Sequence, residues 1–222
     1  MKLQAGLRAA ASLQTLMSET FELLVATHNA GKVREYASLL SDVPLLRIRG
    51  LSEFPHITEV EETGATFEEN AALKARAYAA HTGLWTLADD SGLEVDALGG
   101  APGVFSARYG GLPASDAQRT ALLLKELEAT NDPLRRARFV CVIAIVHPSE
   151  ENLHLFRGQC EGRIARSPRG SQGFGYDPVF IPDGHQQTFA ELPAELKHQL
   201  SHRARALRPA LNCLRQQLKL RL

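Results

Sequence analysis

Several scarcities in this 222-residue chain close off whole classes of function. Cysteine is the first: Cys141, Cys160 and Cys213 are odd in number and far apart. They have no metal spacing and form no disulfide framework, so a reducing cytoplasm is the simplest compartment. Excess charge is the second, since 25 Lys plus Arg stand against 25 Asp plus Glu. Sequence-blind nucleic-acid binding draws its affinity from cations that neutralise phosphates, so no nucleic-acid partner is expected. No apolar run approaches the roughly 18 residues of a transmembrane helix, so no membrane partner is expected. Familiar catalytic signatures are missing too. There is no GxSxG elbow, and His198 and His202 form an HxxxH pair without the glutamate of a HExxH zinc site.

What remains is ordinary globular material, 44% hydrophobic and 23% charged, without repeats or low-complexity linkers. That suits one domain with a substantial core. Residues 1–19 stand apart, with Lys2, Arg8, an Ala/Leu-rich stretch and no acid before Glu19. By composition they are an amphipathic or transit-like extension, expected to be dispensable ahead of a single domain over 20–222.

The pattern along that domain is α/β. Phe21–Thr27 is a short apolar run that reads as a buried strand, and the spacing of Val33, Tyr36, Ala37 and Leu40 predicts a helix over Lys32–Leu40. Leu45–Ile48 is a second strand. Thr66 and Glu69 fit a capping box for a helix over Thr66–Thr82, and Gly83 sits where it would stop. Thr86–Ala88 is a brief strand running into Asp89-Asp90-Ser91-Gly92. A glycine-rich loop over Gly99–Gly111 precedes a helix over Ser115–Ala129. Phe139–His147 and Asn152–Cys160 predict an antiparallel hairpin, Pro178–Ile181 a short strand, and Phe189–Leu196 and Ser201–Leu220 two helices.

Chemistry concentrates in five segments. Thr27-His28-Asn29-Ala30-Gly31-Lys32 joins a strand to a helix, where open α/β sheets bind ligands and free helix N–H groups favour anions. It lacks the first glycine of a Walker A loop, since Ala26 stands there, and an ordinary βα connection fits it as well. Glu61-Glu62-Thr63-Gly64 is followed by Asn70 and Lys74, four apart on one helix face. Asp89-Asp90 offers hard oxygen ligands of the kind Mg²⁺ accepts. Adjacent strand residues point to opposite faces, so one aspartate should face the site and the other should satisfy backbone donors. Gly173-Phe174-Gly175-Tyr176-Asp177-Pro178 combines close approach, stacking faces and an acceptor, without the GxGxxG order of a dinucleotide site. Lys197 with Ser201-His202-Arg203 supplies donors near the C-terminus.

Together, ATHNAGKVRE, EETGATFEENAALKARAYA, ADDSGLEVDALGGAPGVFSARYGG, GFGYDPVF and LSHRARAL resemble the inosine triphosphate pyrophosphatase family, in order and separation, from about Leu23 to Leu214. The resemblance implies an elongated α/β fold with a long mixed central sheet and flanking helices, its two lobes enclosing a substrate cleft. It implies a homodimer, Mg²⁺ dependence, and hydrolysis of ITP, dITP or XTP to the monophosphate and pyrophosphate. By position it implies that Thr27, His28, Asn29, Ala30, Gly31 and Lys32 hold the triphosphate. Glu61 and Asp90 would bind the metal, with Asp90 also accepting a proton from the attacking water. Ser91 would contact substrate, and Lys74 would stabilise charge near the scissile bridge. Phe174, Gly175, Tyr176, Asp177, Lys197, His202 and Arg203 would bind the nucleoside end. Two other functions keep the same fold: a pyrophosphatase for other modified nucleotides, and a catalytically silent nucleotide-binding protein.

Overall fold

The structure is a computed structural model that describes residues 20–111, 114–149 and 152–219. The extension over 1–19 lies outside the described residues. Six strands form one mixed sheet in the order β2-β1-β3-β4-β5-β6. β1 (Phe21–Val25) lies parallel to both β2 (Leu46–Gly50) and β3 (Trp85–Val95). β4 (Arg136–Val146), β5 (His154–Ile164) and β6 (Phe180–Pro182) continue the sheet antiparallel. Among the described residues five α-helices flank it: α1 (Ala30–Leu39), α2 (Phe67–Thr82), α3 (Asp116–Thr130), α4 (Ala194–Leu200) and α5 (His202–Lys219).

The two parallel crossovers place helices on opposite faces. α1 and α5 cover the face built from Leu23, Val25, Leu87, Cys141 and Ile143. α2 covers the other, built from Leu24, Ala88, Val140, Val142 and Ala144. Its capping box forms as the sequence predicts, and Gly83 ends it at φ 71°, a left-handed conformation that glycine adopts without a Cβ clash. A third cluster under α3, with Phe139, Phe180 and Phe189, closes the far end of the sheet. Strands from which chains diverge to opposite faces leave a crevice at their carboxyl ends. That crevice opens here because β1 stops pairing at Val25↔Leu87, while β3 runs on to Val95.

Two expected elements differ. The strand predicted to end at Ala88 is eleven residues long, so Asp89, Asp90 and Ser91 lie inside it. They remain paired to β4 through Asp89↔Ile143 and Asp90↔Val142, and their polar side chains face partners that a hydrophobic run does not reveal. The helix predicted over Phe189–Leu196 is instead a turn at 189–192 followed by α4. Pro193 takes the position before the first turn, where its fixed φ is tolerated and its missing N–H costs nothing.

Candidate active site

A cavity of about 590 Å³ occupies the crevice. That volume lies within the range of small-molecule sites. Its lining draws on all five segments singled out from the sequence.

One wall is the β1–α1 loop. Asn29 caps α1, its Oδ1 accepting from the Lys32 N–H at 3.1 Å, and Thr27 Oγ1 accepts from the Asn29 N–H at 3.2 Å. The N–H groups of Ala30 and Gly31 belong to the first turn, which has no intrahelical acceptors for them. With Lys32 they form a donor-rich end suited to an anion. His28 lines the same edge and is exposed. Gly31 has a packing reason as well: a Cβ there would lie 2.5 Å from the Phe174 ring, so the loop and the aromatic segment meet only because this side chain is absent.

The opposite wall is α2 with the Glu61–Glu62 loop. Asp90 faces it and accepts from Asn70 Nδ2 at 3.1 Å, with Lys74 Nζ at 3.6 Å. Burial pushes the Asp90 carboxyl above its usual range, Lys74 pulls against that, and Glu62 adds to it. Burial likewise opposes the charge of Lys74, but Asp90 and Glu62 outweigh it and hold the ammonium protonated. Glu62 pairs with Lys74 and with Arg108 at 3.5 Å. Glu61 is exposed on the cavity lining and has no ion-pair partner among the described residues.

The Phe174–Asp177 and Lys197–Arg203 segments converge on the α1 face. Lys197 Nζ lies 2.6 Å from both Glu35 Oε1 and Asp177 Oδ2, and Asp177 Oδ2 also accepts from the Phe174 N–H at 2.8 Å. Burial raises the Asp177 carboxyl, against the pull of Lys197. Arg203 pairs with Glu35 and donates to Ser91 Oγ at 3.0 Å. His202 stacks on Phe139 at 4.7 Å and 11°. Two buried polar atoms on this side, Arg203 Nε and His202 Nδ1, have no hydrogen-bond partner among the described residues. Tyr176 is buried in the lining, and its hydroxyl donates to the Ser106 carbonyl at 3.0 Å, so it braces the wall as well as facing the cavity. Gly175 is held by Asp116, whose Oδ2 accepts its N–H at 2.7 Å.

All seventeen residues expected at the site are placed around this cavity, with Ala30 and Gly31 behind its edge and the rest on its lining. The expectation for Asp89 is corrected. Rather than satisfying backbone donors, its carboxylate faces α1 and α5 and pairs with Lys32 and Arg203. Sequence reasoning also missed Glu35, Arg108, Asp116, Arg119 and Phe139. Glu35 carried a signal in hindsight, an acid one turn from Lys32 on the same helix face. The HxxxH pair is divided between two helices: His198 in α4 meets Ser38 Oγ at 3.4 Å, while His202 starts α5.

The carboxylates on the α2 side fit a divalent cation. Among the described residues Glu61 has no ion-pair partner, and the one ion pair of Asp90 is the 3.6 Å approach of Lys74. Hard carboxylate oxygens of this kind are what Mg²⁺ accepts.

Known proteins resemble this chain in sequence and fold. A dITP/XTP pyrophosphatase from Shouchella clausii is 50% identical over 186 residues, 84% of this chain and 92% of that protein. One from Desulforamulus reducens is 51% identical over 193 residues, covering 87% and 95%. The structure of a HAM1 protein from Coxiella burnetii superposes with a TM-score of 0.80 at 45% identity, covering 88% of this chain and 99% of that one. The profile of the Ham1 family matches residues 23–213, which include every residue lining the cavity, and the chain belongs to that family.

Proposed function

We propose that the protein hydrolyses deaminated-purine nucleoside triphosphates, dITP, XTP and ITP, to the monophosphate and pyrophosphate. The observation that carries this is the meeting, where β1 ends, of the donor-rich start of α1 with the Asp90–Lys74 pair at 3.6 Å. A site for binding alone has no need of the buried, incompletely compensated carboxylate. The relatives' names carry the same activity.

The residues divide the work. Thr27, Asn29, Lys32 and the first turn of α1 receive the phosphates, whose charge they offset. Asp90 accepts the proton of a water that attacks the α-phosphorus. The new O–P bond forms as the bridging oxygen leaves with pyrophosphate, and Lys74 stabilises the charge that develops. Arg203 Nε and His202 Nδ1 are the polar atoms left to meet the base. An arginine N–H donates only, so it accepts a 6-oxo group and leaves the 6-amine of adenine unpaired. Glu61 and Asp90 would hold Mg²⁺, with Glu62 beside them. The ion, when bound, neutralises phosphate oxygens and orients the displacement.

A homodimer follows from the family resemblance and is proposed as the assembly. A cytoplasmic setting is proposed with it: no disulfide joins the described cysteines, and Cys141 and Cys160 are buried. Among the described residues no helix is long and apolar enough to cross a membrane.

Product analysis tests the reading. With Mg²⁺ and ITP the protein should yield IMP and pyrophosphate, so that a phosphate assay responds only once inorganic pyrophosphatase is added. Direct appearance of phosphate and IDP would refute cleavage between the α- and β-phosphates.

A further inference from the structure

Asp89 has no part in the chemistry just described, yet it is 1% exposed beside the reacting centre. Side-chain alternation along β3 points Asp90 toward α2 and Asp89 toward α1 and α5. There, Asp89 Oδ2 meets three groups. Lys32 Nζ lies at 2.9 Å, the Arg203 guanidinium at 3.5 Å, and the Cys141 thiol donates at 3.8 Å. Asp89 Oδ1 has no partner among the described residues. Both cations therefore depend on one oxygen. Lys32 belongs to the phosphate loop and Arg203 to the base side. Arg203 is fixed further by Glu35 and Ser91, whereas the only ion pair of Lys32 among the described residues is with Asp89.

We propose that Asp89 is a positioning residue that couples the two ends of the cleft, because the phosphate-side Lys32 and the base-side Arg203 share one oxygen of its carboxylate. This rests on the pyrophosphatase reading for the identity of the two ends. Two cations on one acceptor compete for it. A polyphosphate anion draws Lys32 toward itself and leaves the oxygen to Arg203, which moves from 3.5 Å into full hydrogen bonding and sets the guanidinium against the base. Filling the phosphate end thereby organises the base end. Linkage makes the effect reciprocal: a base that Arg203 accepts favours release of Lys32 to the phosphates. No bond is made or broken in this step.

The test uses the whole protein, labelled with ¹⁵N, and inorganic triphosphate as the probe. Arg203 Nε is buried, so its N–H exchanges slowly with water, and its resonance is assigned by its loss in Arg203→Lys. In the parent protein, triphosphate should shift both the Asn29 amide of the phosphate loop and the Arg203 Nε–H. In Asp89→Asn the Asn29 amide should still shift while Arg203 stays put. The same variant should lower the ratio of kcat/KM for ITP over ATP by at least about 5-fold, the lower end of typical coupling factors. A purely structural role for Asp89 would lower the melting temperature and leave that ratio unchanged. Should Asp89→Asn fail to fold, Lys32→Gln decides: at triphosphate concentrations that still shift the Asn29 amide, Arg203 should no longer respond. An Asn29 shift with a stationary Arg203 in the parent protein would overturn the coupling. No shift at either position would overturn the phosphate-loop assignment, and the coupling with it.

Discussion

Asp90 and Asp89 are neighbours in sequence with opposite surroundings. Asp90 accepts from the Asn70 amide and the Ser91 N–H, has one ammonium at 3.6 Å and a raised pKa, whereas burial of Asp89 is outweighed by Lys32 and then Arg203, which hold it well below the usual carboxylate range. One carboxylate is kept ready for a proton and the other is kept charged. Asp90→Asn should therefore lose about 10²- to 10⁴-fold in kcat, the usual cost of removing a general base, while the isosteric amide keeps the fold. Asp89→Asn should cost less in kcat and act on substrate selection. Steady-state kinetics on both variants, each checked by its melting curve, decides between them. Equal or reversed losses in kcat would show that the proton acceptor is misassigned. Arg203 argues for a gentle substitution. It is 2% exposed and pairs with two carboxylates, so Arg203→Ala leaves Glu35 and Asp89 facing one another without their shared cation. Arg203→Lys keeps the charge and removes Nε–H as a planar donor. It should lower kcat/KM for ITP more than for ATP, by about 5- to 150-fold, the cost of leaving one buried polar group unpaired. Equal losses for both substrates would make Arg203 a general binding residue.

α5 delivers His202 and Arg203 to the cavity, and it approaches β5 most tightly at one glycine. A Cβ on Gly158 would lie 2.3 Å from the Ala206 nitrogen and the His202 carbonyl oxygen, both backbone atoms of α5. Backbone cannot yield as a flexible side chain does, so Gly158→Ala should push the helix outward. Overpacking of this kind costs about 1–3 kcal/mol, or roughly 2–12 °C in melting temperature for a protein of this size. Because the displaced turn carries His202 and Arg203, selectivity for ITP over ATP should fall along with stability. A variant that melts normally and keeps the ratio would show that α5 does not rest on this contact. Legibility in the sequence follows the same line between local and distant causes. The capping box of α2, the stop at Gly83 and the β4–β5 hairpin depend on neighbours in the chain, and all were readable. The length of β3 was not, because Asp89, Asp90 and Ser91 are tolerated inside a strand only by cations on helices elsewhere in the chain. The five motif segments were legible because each is compact in sequence, and the fold gathers them around one cavity. Glu35 and the true partners of Asp89 escaped notice because Lys197 and Arg203 lie 162 and 168 residues from Glu35. Arg119 and Phe139 reach the cavity from elements with no motif of their own.

The molecule as a whole carries no net charge, but it concentrates ions where water is scarce. Lys32, Lys197 and Arg203 face Glu35, Asp89 and Asp177 in one buried set between α1, β3 and the last two helices. Three cations balance three anions, and His202 sits among them as a neutral ring. Burial, then Arg203, drive its pKa well below the usual value, with Lys197 adding to the effect and Glu35 and Asp89 opposing it. The consequence for stability has a definite sign. An unfolded histidine takes up a proton near pH 6.5 and the folded one does not, so the unfolded state gains as pH falls below that value. Each pH unit below 6.5 should cost about 1.4 kcal/mol, or roughly 3–5 °C in melting temperature. Glu35 acts in a different window. Burial raises its pKa, but Arg203 and Lys197 outweigh that and bring it to about 2, so its contribution is complete above 4.5 and is lost only as pH falls from there toward 2. Asp90 and Asp177, both raised, work in the opposite sense to His202 because the folded state takes up their protons first. A difference measurement removes them. Melting temperatures of the parent protein and of His202→Gln, taken between pH 7.5 and 5.0, should diverge below 6.5, the parent falling faster. Parallel curves through that range would mean that His202 is protonated in the folded protein, and that the buried ions around it do not hold the ring neutral.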